Sequence, residues 1–416
     1  MSRRAPKARA AAVAGVLALG LSATACGATG EARTAHPSPS GDGVLRLGLL
    51  LDSTGDSAYL NDAQRAAVVL AVQQANAAGG YGGKPVELLP VQPGSDTAAE
   101  SRRLAQTGAD AVIGPTDSSR APAAIDVLSK AKVPLISPAN RAAALTGYRS
   151  GGFYFRTSAP EGAEGAALVE LARRSGAKRI AVLHQAGDHG KAEADAASAA
   201  ARAAGVAESG SAEFTGHSAG AAAAAAKGAD AVLVIGQGDG QAILASVADA
   251  GVPGSKLLLS SGVYGRYGSA LADHALDGAR ALVPGVYPTP EFQADLLEHA
   301  PDLKDLTFAG EAYDAASLAI LAAGAAKDDG GASIASKLID VSGGDVAGAM
   351  EGNRQKCTGL PACLALQAKG TPVDYEGQSG PISFDEHGDV TTARFMAFTY
   401  GADNQPVRDG DVTVAR

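Results

Sequence analysis

Short apolar segments alternate with longer amphipathic segments along most of this chain. From Val44 onward the sequence reads LRLGLLL, DAQRAAVVLAVQQANAAGG, PVELLPV, TAAESRRLAQTG and DAVIG. The short segments are typical of strands, and the longer ones repeat apolar positions at helical spacing. Runs such as LRLGLLL and AVLVIG lack a two-residue alternation, so both faces of these strands must be buried. The pattern predicts parallel sheets covered by helices on both sides.

A segment containing Gly and Pro divides this alternation into two series. The first series ends before GGFYFRTSAPEGAEG, and a second begins with RIAVLH, DAVLVIG and KLLLS. The pattern changes again near VPGVYPTP. The roughly 370 residues that carry it exceed what one such core accommodates. We therefore predict an α/β protein with two doubly wound parallel-sheet lobes.

The first 25 residues have the layout of a secretory signal peptide. Basic residues precede the apolar run AAVAGVLALGLSA, and small residues follow it. The run is shorter than the roughly 20 residues that span a bilayer, so residues 1–25 are excluded from the fold. Arg3 and Arg4 also suit a twin-arginine signal, so two export routes remain open. Residues 26–43 are polar and contain Gly, Ser and Pro, which predicts a flexible tether.

The sequence LSATAC resembles a bacterial lipobox, in which the cysteine becomes the acylated first residue of the mature protein. Cys26 is therefore the predicted lipidation site, although Ala23 stands where the pattern prefers leucine. An ordinary cleaved signal and a secreted protein form the alternative. The expected location is outside the cell, anchored by lipid to the outer face of the cytoplasmic membrane.

The charge and the motifs argue against several partners and cofactors. Loss of four basic residues with the signal peptide changes the formal net charge from −9 to −13. Such an acidic chain is a poor partner for nucleic acid or for anionic lipid. GGYGGKP lacks the spacing of a phosphate-binding loop, and the seven histidines form no H-E-x-x-H motif. We expect no metal and no cofactor.

Two cysteines near the C-terminus are expected to form a structural disulfide. Cys357 and Cys363 lie six residues apart in KCTGLPAC, and thiols oxidise outside the cytoplasm. Closing so short a loop contributes about 2 kcal/mol. The pair lacks the Cys-x-x-Cys spacing of redox and zinc sites, so we interpret the bridge as a loop staple.

Nine motifs in order resemble the type I periplasmic binding proteins, specifically the leucine/isoleucine/valine-binding group of ABC-transporter solute receptors. The motifs are LGLLLDSTG, QQANAAGGYGGKPVEL, DAVIGPTDSS, VPLISPAN, YFRTSAPEGAEGAAL, RIAVLHQAGDHG, ADAVLVIGQG, GEAYDAASLAI and YEGQSGPISFDEHGD. They extend over nearly the whole mature chain. The resemblance implies two lobes joined by three crossing segments, with the ligand in a cleft at the carboxyl ends of the strands.

The resemblance also implies where the chain passes between the lobes. Crossings are expected near Thr157 and near Pro284, with a third before the final strands. The expected lobe boundaries are 44–157 and 284–370 for the first lobe, and 158–283 and 371–416 for the second.

Five residues of the first lobe are candidates for ligand contact. Ser118 and Ser119 follow a strand and begin a helix, where the resemblance places the ligand carboxylate. A serine here also serves as an ordinary helix cap. Asn140 and Arg141 replace a small residue and a threonine, and Arg141 is either a bidentate partner for an acid or a solvated residue. Tyr59 matches the family's aromatic position or is an exposed loop tyrosine.

In the second lobe, the resemblance points to four positions. Glu161 falls on the acid that recognises an ammonium group, one carbon longer than the usual aspartate, and as a first helical residue it also suits the positive helix end. His189 falls on an aromatic position, and Gln237 falls on a polar or aromatic one. Ser261 stands where many members carry a second acid.

These residues imply capture of a small molecule without catalysis. The lobes close around the ligand, and a membrane permease recognises the closed form. An extracellular sensor with a signalling partner uses the same cleft and is the alternative. Arg141 and the missing second acid favour a polar or acidic ligand, such as an amino acid, an amide or a carboxylate.

One motif suggests a serine hydrolase instead. GHSAG matches the G-x-S-x-G nucleophile elbow, with Ser218 between an apparent strand and an Ala-rich helix. Asp273 with His274 or His299 would complete a triad in sequence order. Gly and Ser are abundant in this chain and Ser218 suits a helix cap, so we predict no enzymatic activity.

Overall fold

The computed structural model describes residues 35–52, 58–91, 94–216, 218–238, 240–344 and 353–415, together with Met1. Residues 2–25 of the predicted signal peptide and the predicted lipidation site, Cys26, lie outside the described residues. The described helices are α1 Asn61–Ala77, α2 Thr97–Gln106, α3 Ala121–Lys130, α4 Gly162–Arg174, α5 Asp188–Ala203, α6 Ala219–Ala223, α7 Gly240–Asp249, α8 Pro290–His299, α9 Ala309–Ala326, α10 Gly331–Val341 and α11 Leu360–Gln367. No helix in these ranges is long and apolar enough to cross a membrane.

The described strands form three sheets. Their bounds are β1 Arg46–Leu49, β2 Glu87–Leu88, β3 Ala111–Ile113, β4 Leu135–Ser137, β5 Tyr154–Arg156, β6 Arg179–Gln185, β7 Ala207–Phe214, β8 Ala231–Ile235, β9 Leu257–Leu259, β10 Arg280–Pro284, β11 Gln355–Thr358, β12 Val373–Gly377, β13 Gly380–Pro381, β14 Thr392–Tyr400 and β15 Pro406–Ala415. All but the first 32 residues belong to one compact unit, Arg33–Arg416.

The first lobe is built on a five-stranded parallel sheet in the order β2-β1-β3-β4-β5. Alternate residues of β3 pack in different hydrophobic cores, one on each face of the sheet. Ala111 and Ile113 share a core with residues of α1 and α9, whereas Val112 shares one with residues of α2 and α3. Both faces are therefore covered, which explains why these strands carry uninterrupted apolar runs.

The second lobe is built on a seven-stranded sheet in the order β15-β14-β10-β9-β8-β6-β7. Ile180 and Val182 of β6 pack with α4 and α5, and Ala181 and Leu183 pack with α6 and α7. The strands from β10 to β7 are parallel, and β14 and β15 add an antiparallel edge. The two predicted parallel-sheet lobes are confirmed.

Within the described ranges, three segments connect the lobes. The chain leaves the first lobe after Arg156 at the end of β5, and it leaves the second after Pro284 at the end of β10. The third crossing lies between Val390, which packs in the core of the first lobe, and Ala393, which packs in that of the second.

The first lobe extends further along the chain than residue 370, the boundary expected from the sequence. Strand β12 pairs with β11 and β13 in a small third sheet. Val373 and Tyr375 of β12 pack in the core of the first lobe, and the Tyr375 hydroxyl donates to Asp314 on α9 at 2.6 Å. These contacts keep the chain in the first lobe as far as Val390.

Residues 35–43, the end of the predicted tether, are hydrogen-bonded to the first lobe. The Ala35 N–H donates to the Gly151 carbonyl at 3.0 Å, and the Gly43 N–H donates to both Asp329 carboxylate oxygens, at 3.1 and 3.0 Å. The donors are backbone groups, which side-chain composition does not reveal. In this part, the segment is bound chain and not a free linker.

Cys357 and Cys363 are joined by a disulfide, with their Cα atoms 5.3 Å apart. The bond links β11 to α11, and both cysteines lie in the core of the first lobe. The bridge therefore staples a local connection, far along the chain from the predicted cleft residues.

Candidate functional site

Ser118 ties together two turns at the carboxyl end of the first sheet. Its hydroxyl accepts hydrogen bonds from the N–H groups of Arg141 at 3.0 Å and Ala142 at 3.2 Å. The N–H of Ser119 donates to the Asp117 carboxylate at 2.8 Å. The Ser118 side chain is thus part of the framework that positions Arg141, whereas Ser119 is exposed and bonds only within its own turn in the described contacts.

Asn140 is enclosed by its own lobe. Its side-chain nitrogen donates to the carbonyl oxygens of Pro115 and Thr116, both at 3.0 Å, and its side-chain oxygen accepts from the Tyr154 hydroxyl at 3.2 Å. Both amide hydrogens are therefore used within the lobe. The side chain orients the turn after β4, and its direct ligand contact stays a prediction without further support.

An ion pair joins the two lobes. Arg141 Nη2 of the first lobe lies 2.6 Å from Glu164 Oε2 on α4 of the second. Ser261, just after β9, donates to the same carboxylate through its hydroxyl at 2.9 Å and through its N–H. The Glu164 side chain is 1% exposed, so these donors replace water around its charge. We call Arg141, Glu164 and Ser261 the interlobe bridge.

Three further side chains extend this bridge within the second lobe. His189 Nδ1 lies 3.0 Å from Glu161 Oε1, and His189 Nε2 lies 3.5 Å from Glu193 Oε2. The Glu193 side chain is 1% exposed, and its Oε1 atom accepts no hydrogen bond from the described residues. We call the interlobe bridge together with Glu161, His189 and Glu193 the cleft cluster.

Burial and neighbouring charges act oppositely on two acids of the cluster. Burial, followed by the charge of Glu164, raises the pKa of Glu193 well above its ordinary value, and Arg141 opposes this shift. Burial also acts to raise the pKa of Glu161, but the contact with His189 and the charges of His189 and Arg141 outweigh it and lower that pKa. The fold therefore favours the neutral form of Glu193 and the ionised form of Glu161, with His189 between the two carboxyls.

The contacts of the described residues do not join Tyr59 or Gln237 to the cleft cluster. The Tyr59 side chain is 65% exposed, next to a loop whose residues 53–57 are outside the described part. Gln237 is exposed, and its N–H donates to the Gln185 side chain. Of the predicted site residues, the structure brings together Arg141, Glu161, His189 and Ser261.

Glu164 and Glu193 were not predicted as site residues. Glu164 follows Glu161 by three residues and Glu193 follows His189 by four, which places each pair on one helix face. This spacing from predicted site residues was the sequence signal that could have indicated the two acids. Acids on helices are mostly exposed, so the burial that makes these two unusual could not be read from the sequence.

The hydrolase motif has no catalytic partner in the described contacts. The Ser218 hydroxyl accepts from the Thr215 N–H at 2.9 Å, at the start of α6. His274 Nδ1 lies 3.7 Å from Asp277, and His299 Nδ1 lies 3.0 Å from the Asp295 carbonyl. In the described ranges, no group of His, Cys, Asp and Glu side chains is arranged to hold a metal ion.

Comparison with known families accounts for the two lobes and the cleft between them. The sequence matches the profile described as periplasmic binding protein over residues 44–366. The chain belongs to the periplasmic binding protein family. Proteins of this family are exported and bind solutes, which confirms the expectations of a solute-binding protein and of a chain that is not an enzyme.

Relatives with known names or structures bind amino acids or aromatic acids. A leucine-, isoleucine-, valine-, threonine- and alanine-binding protein of Pseudomonas aeruginosa is 29% identical over 154 residues, which are 36% of this chain and 40% of that protein. The match thus spans well under two thirds of that relative's length.

Solved structures extend the similarity over most of the chain. A putative branched-chain amino acid ABC transporter protein from Rhodospirillum rubrum is 21% identical, with a TM-score of 0.66, over 88% of this chain and 99% of that one. A branched-chain amino acid transporter substrate binding protein from Streptococcus pneumoniae, solved with isoleucine, is 22% identical with a TM-score of 0.58, over 90% of this chain and 100% of that one. A solute binding protein from R. palustris, solved with 4-hydroxybenzoate, is 17% identical with a TM-score of 0.59, over 89% of this chain and 97% of that one. At these identities the similarity shows the fold, and the predicted membership of the type I group is confirmed.

Proposed function

We propose that this periplasmic binding protein captures a small amino-acid-like molecule between its lobes and delivers it to a membrane ABC permease. The cleft cluster is the observation that carries the proposal, because charged side chains of both lobes converge at the carboxyl ends of the strands. The names of several relatives, which refer to leucine, isoleucine and related amino acids, support the same ligand class.

The charges of the cluster favour a ligand that carries an ammonium group. The carboxylates of Glu161 and Glu164 and the buried carboxyl of Glu193 surround one guanidinium and one imidazole. The acidic ligand inferred from Arg141 loses support, because that guanidinium is already paired with Glu164. An α-amino acid therefore fits the cluster better than a carboxylate without an amine, such as benzoate.

Ligand-dependent unfolding tests this proposal. The chain without its signal peptide is heated with leucine, isoleucine, alanine, lysine, glutamate, benzoate and 4-hydroxybenzoate, and hits are titrated by calorimetry. A ligand at 100 times its Kd adds about 2.7 kcal/mol to the free energy of unfolding. We expect stabilisation by an amino acid. Stabilisation by an aromatic acid alone, or by no member of the panel, contradicts the proposed ligand class.

A matched pair of variants then tests the cleft. Glu161→Gln removes the carboxylate proposed to meet the ligand ammonium, and we expect its affinity to fall about 10-fold to 100-fold, as for loss of a hydrogen bond to a charged group. Glu208→Gln, an exposed position on β7, is the control and is expected to bind as the parent does. Equal affinity for both variants would remove Glu161 from the site.

We further propose that the mature protein is anchored by lipid at Cys26. The support is the LSATAC sequence after a signal-like segment and membership of an exported family. Cells fed a labelled fatty acid should label the parent chain and not Cys26→Ala, and the variant should leave the membrane fraction. Labelled Cys26→Ala would rule out this attachment site.

A further inference from the structure

The three crossing segments line a small, partly open cavity at the hinge. Thr157 of the first crossing, Pro284 and Gly285 of the second, and Val390 and Thr392 of the third all line it. Its volume is about 20 Å³. A water molecule needs roughly 10–15 Å³, so the cavity has room for about one. A change in the angle between the lobes must move at least some of these walls.

Glu311 lies in this cavity and contacts two of the crossings. It is in the first turn of α9 and is buried. Its carbonyl oxygen accepts from the Thr157 hydroxyl at 2.8 Å. A Cβ atom added at Gly285, where φ is +94°, would lie 3.0 Å from Glu311 Oε1. The carboxyl is therefore held tightly against the hinge.

The charges around Glu311 do not compensate an ionised carboxylate. Burial, followed by the charge of Asp314, raises the pKa of Glu311 to about 7, while the backbone N–H group of Glu311 itself opposes the shift. Arg394 is the other charged residue that lines the cavity, and it forms no ion pair with Glu311 among the described contacts. The first and second crossings contribute only uncharged residues to the cavity wall.

We propose that Glu311 is a proton-operated element of the hinge, neutral while it is buried between the crossing segments and ionised when the hinge opens and hydrates it. The proposal rests on the lobe closure of the proposed function but not on the identity of the ligand. It assigns to Glu311 a role in setting the balance between closed and open lobes.

The direction of the pH effect follows from proton linkage. Glu311 titrates at about 7 when buried and near its ordinary value of 4.5 when hydrated. Closure then takes up a proton between these two values. The ratio of closed to open molecules falls by at most tenfold per pH unit as pH rises from about 4.5 to about 7, and changes little above that.

Distances between the lobes of the ligand-free protein test the proposal. Nitroxide labels at Lys130→Cys on α3 and Asp249→Cys on α7, both exposed, report the separation of the lobes in the unit Arg33–Arg416. We expect the population with the longer distance to grow as pH rises from 5 to 7. Glu311→Gln, which cannot ionise, should keep the short distance throughout. Because no ligand is present, a failed ligand search does not alter either result.

Three controls make the result specific. Glu298→Gln, an exposed acid on α8, should behave as the parent does. The distances of the parent and of Glu311→Gln are also compared in chains that carry Glu193→Gln, because burial raises the pKa of Glu193 as well. If Glu311→Gln does not fold, Glu311→Asp should retain the pH response, and NMR titration of the parent should assign a pKa near 7 to the Glu311 carboxyl itself. An unchanged pH response in Glu311→Gln, or titration of Glu311 near 4.5 in the closed protein, overturns the proposal.

Discussion

Burial and the charge of one neighbour together favour the neutral form of Glu193. Burial at the contact of α4 and α5 removes water, and the charge of Glu164 on α4 disfavours a second negative charge. A hydrated glutamate has no such penalty. In the folded state the proton is therefore retained at pH values at which the unfolded chain has lost it.

Glu193→Gln should become more stable relative to the parent as pH rises. The raised pKa means that the folded parent binds more protons than the unfolded parent above pH 4.5, so its stability falls with rising pH until the folded pKa is passed. Glutamine lacks this titration, and the difference should grow by up to about 1.4 kcal/mol per pH unit. Urea unfolding at pH 4.5, 6 and 7.5 measures it, with exposed Glu208→Gln as control. Parallel stability profiles of parent and Glu193→Gln would contradict the assignment.

Among the helices, α9 is central to the first lobe. Fifteen of its residues, from Ala309 to Ala323, are buried, so it packs on all sides and not along one stripe. Its residues share a core with α1 and α10. Near its start, the Asp314 carboxylate accepts from the Tyr375 hydroxyl and from Ser379, which joins the helix to the chain that precedes the third crossing. The helix thus carries Glu311 on a rigid support.

Leu318→Ala should destabilise the protein strongly, because Leu318 is 0% exposed in the middle of α9. Truncating a buried leucine leaves a cavity and costs about 2–5 kcal/mol. Leu297→Ala on α8 removes the same atoms from a residue that is 39% exposed and should cost under about 1 kcal/mol. Urea unfolding of both variants gives the comparison. Similar losses would show that α9 is less well packed than described.

At the scale of the whole molecule, polar contacts near the cleft join the two lobes. The interlobe bridge includes the 2.6 Å ion pair of Arg141 with Glu164, and the Glu161 N–H donates to the Arg141 carbonyl at 2.8 Å. Charges this buried are screened little by salt. They favour the closed arrangement as long as both partners are present, because separation leaves Glu164 without its cation.

Arg141→Ala should shift the ligand-free protein toward open lobes. It leaves the Glu164 charge buried and unpaired, and hinge opening restores water to it. We expect a larger radius of gyration by X-ray scattering and a loss of about 1–3 kcal/mol in the free energy of unfolding. Adding Glu164→Gln should recover part of both effects, which a double-mutant cycle measures. The control is the same double-mutant cycle at the surface ion pair of Glu170 and Arg173, both on α4. Additive effects of Arg141→Ala and Glu164→Gln would mean that these two side chains do not interact.

The candidate site could be predicted only in part. Arg141, Glu161, His189 and Ser261 were found through matching motifs, and the structure joins them in one cluster. Asn140 and Ser118 occupy the expected turns, but their side chains are bonded within the lobe, because neighbouring turns supply donors and acceptors that are distant in sequence. Residues 35–43 likewise looked like a tether, because their bonds to the lobe use backbone groups.

The two lobes, their parallel sheets and the family could all be predicted from the order of residues along the chain. Local periodicity and motif order carry that information, since strands buried on both faces require apolar runs such as those of β3 and β6. The pairing of Arg141 with Glu164 and the burial of Glu193 became visible only in the folded chain. The same is true of the position of Glu311 in a cavity that all three crossings line. These contacts join residues from separate parts of the chain, and their energies depend on the water that folding removes.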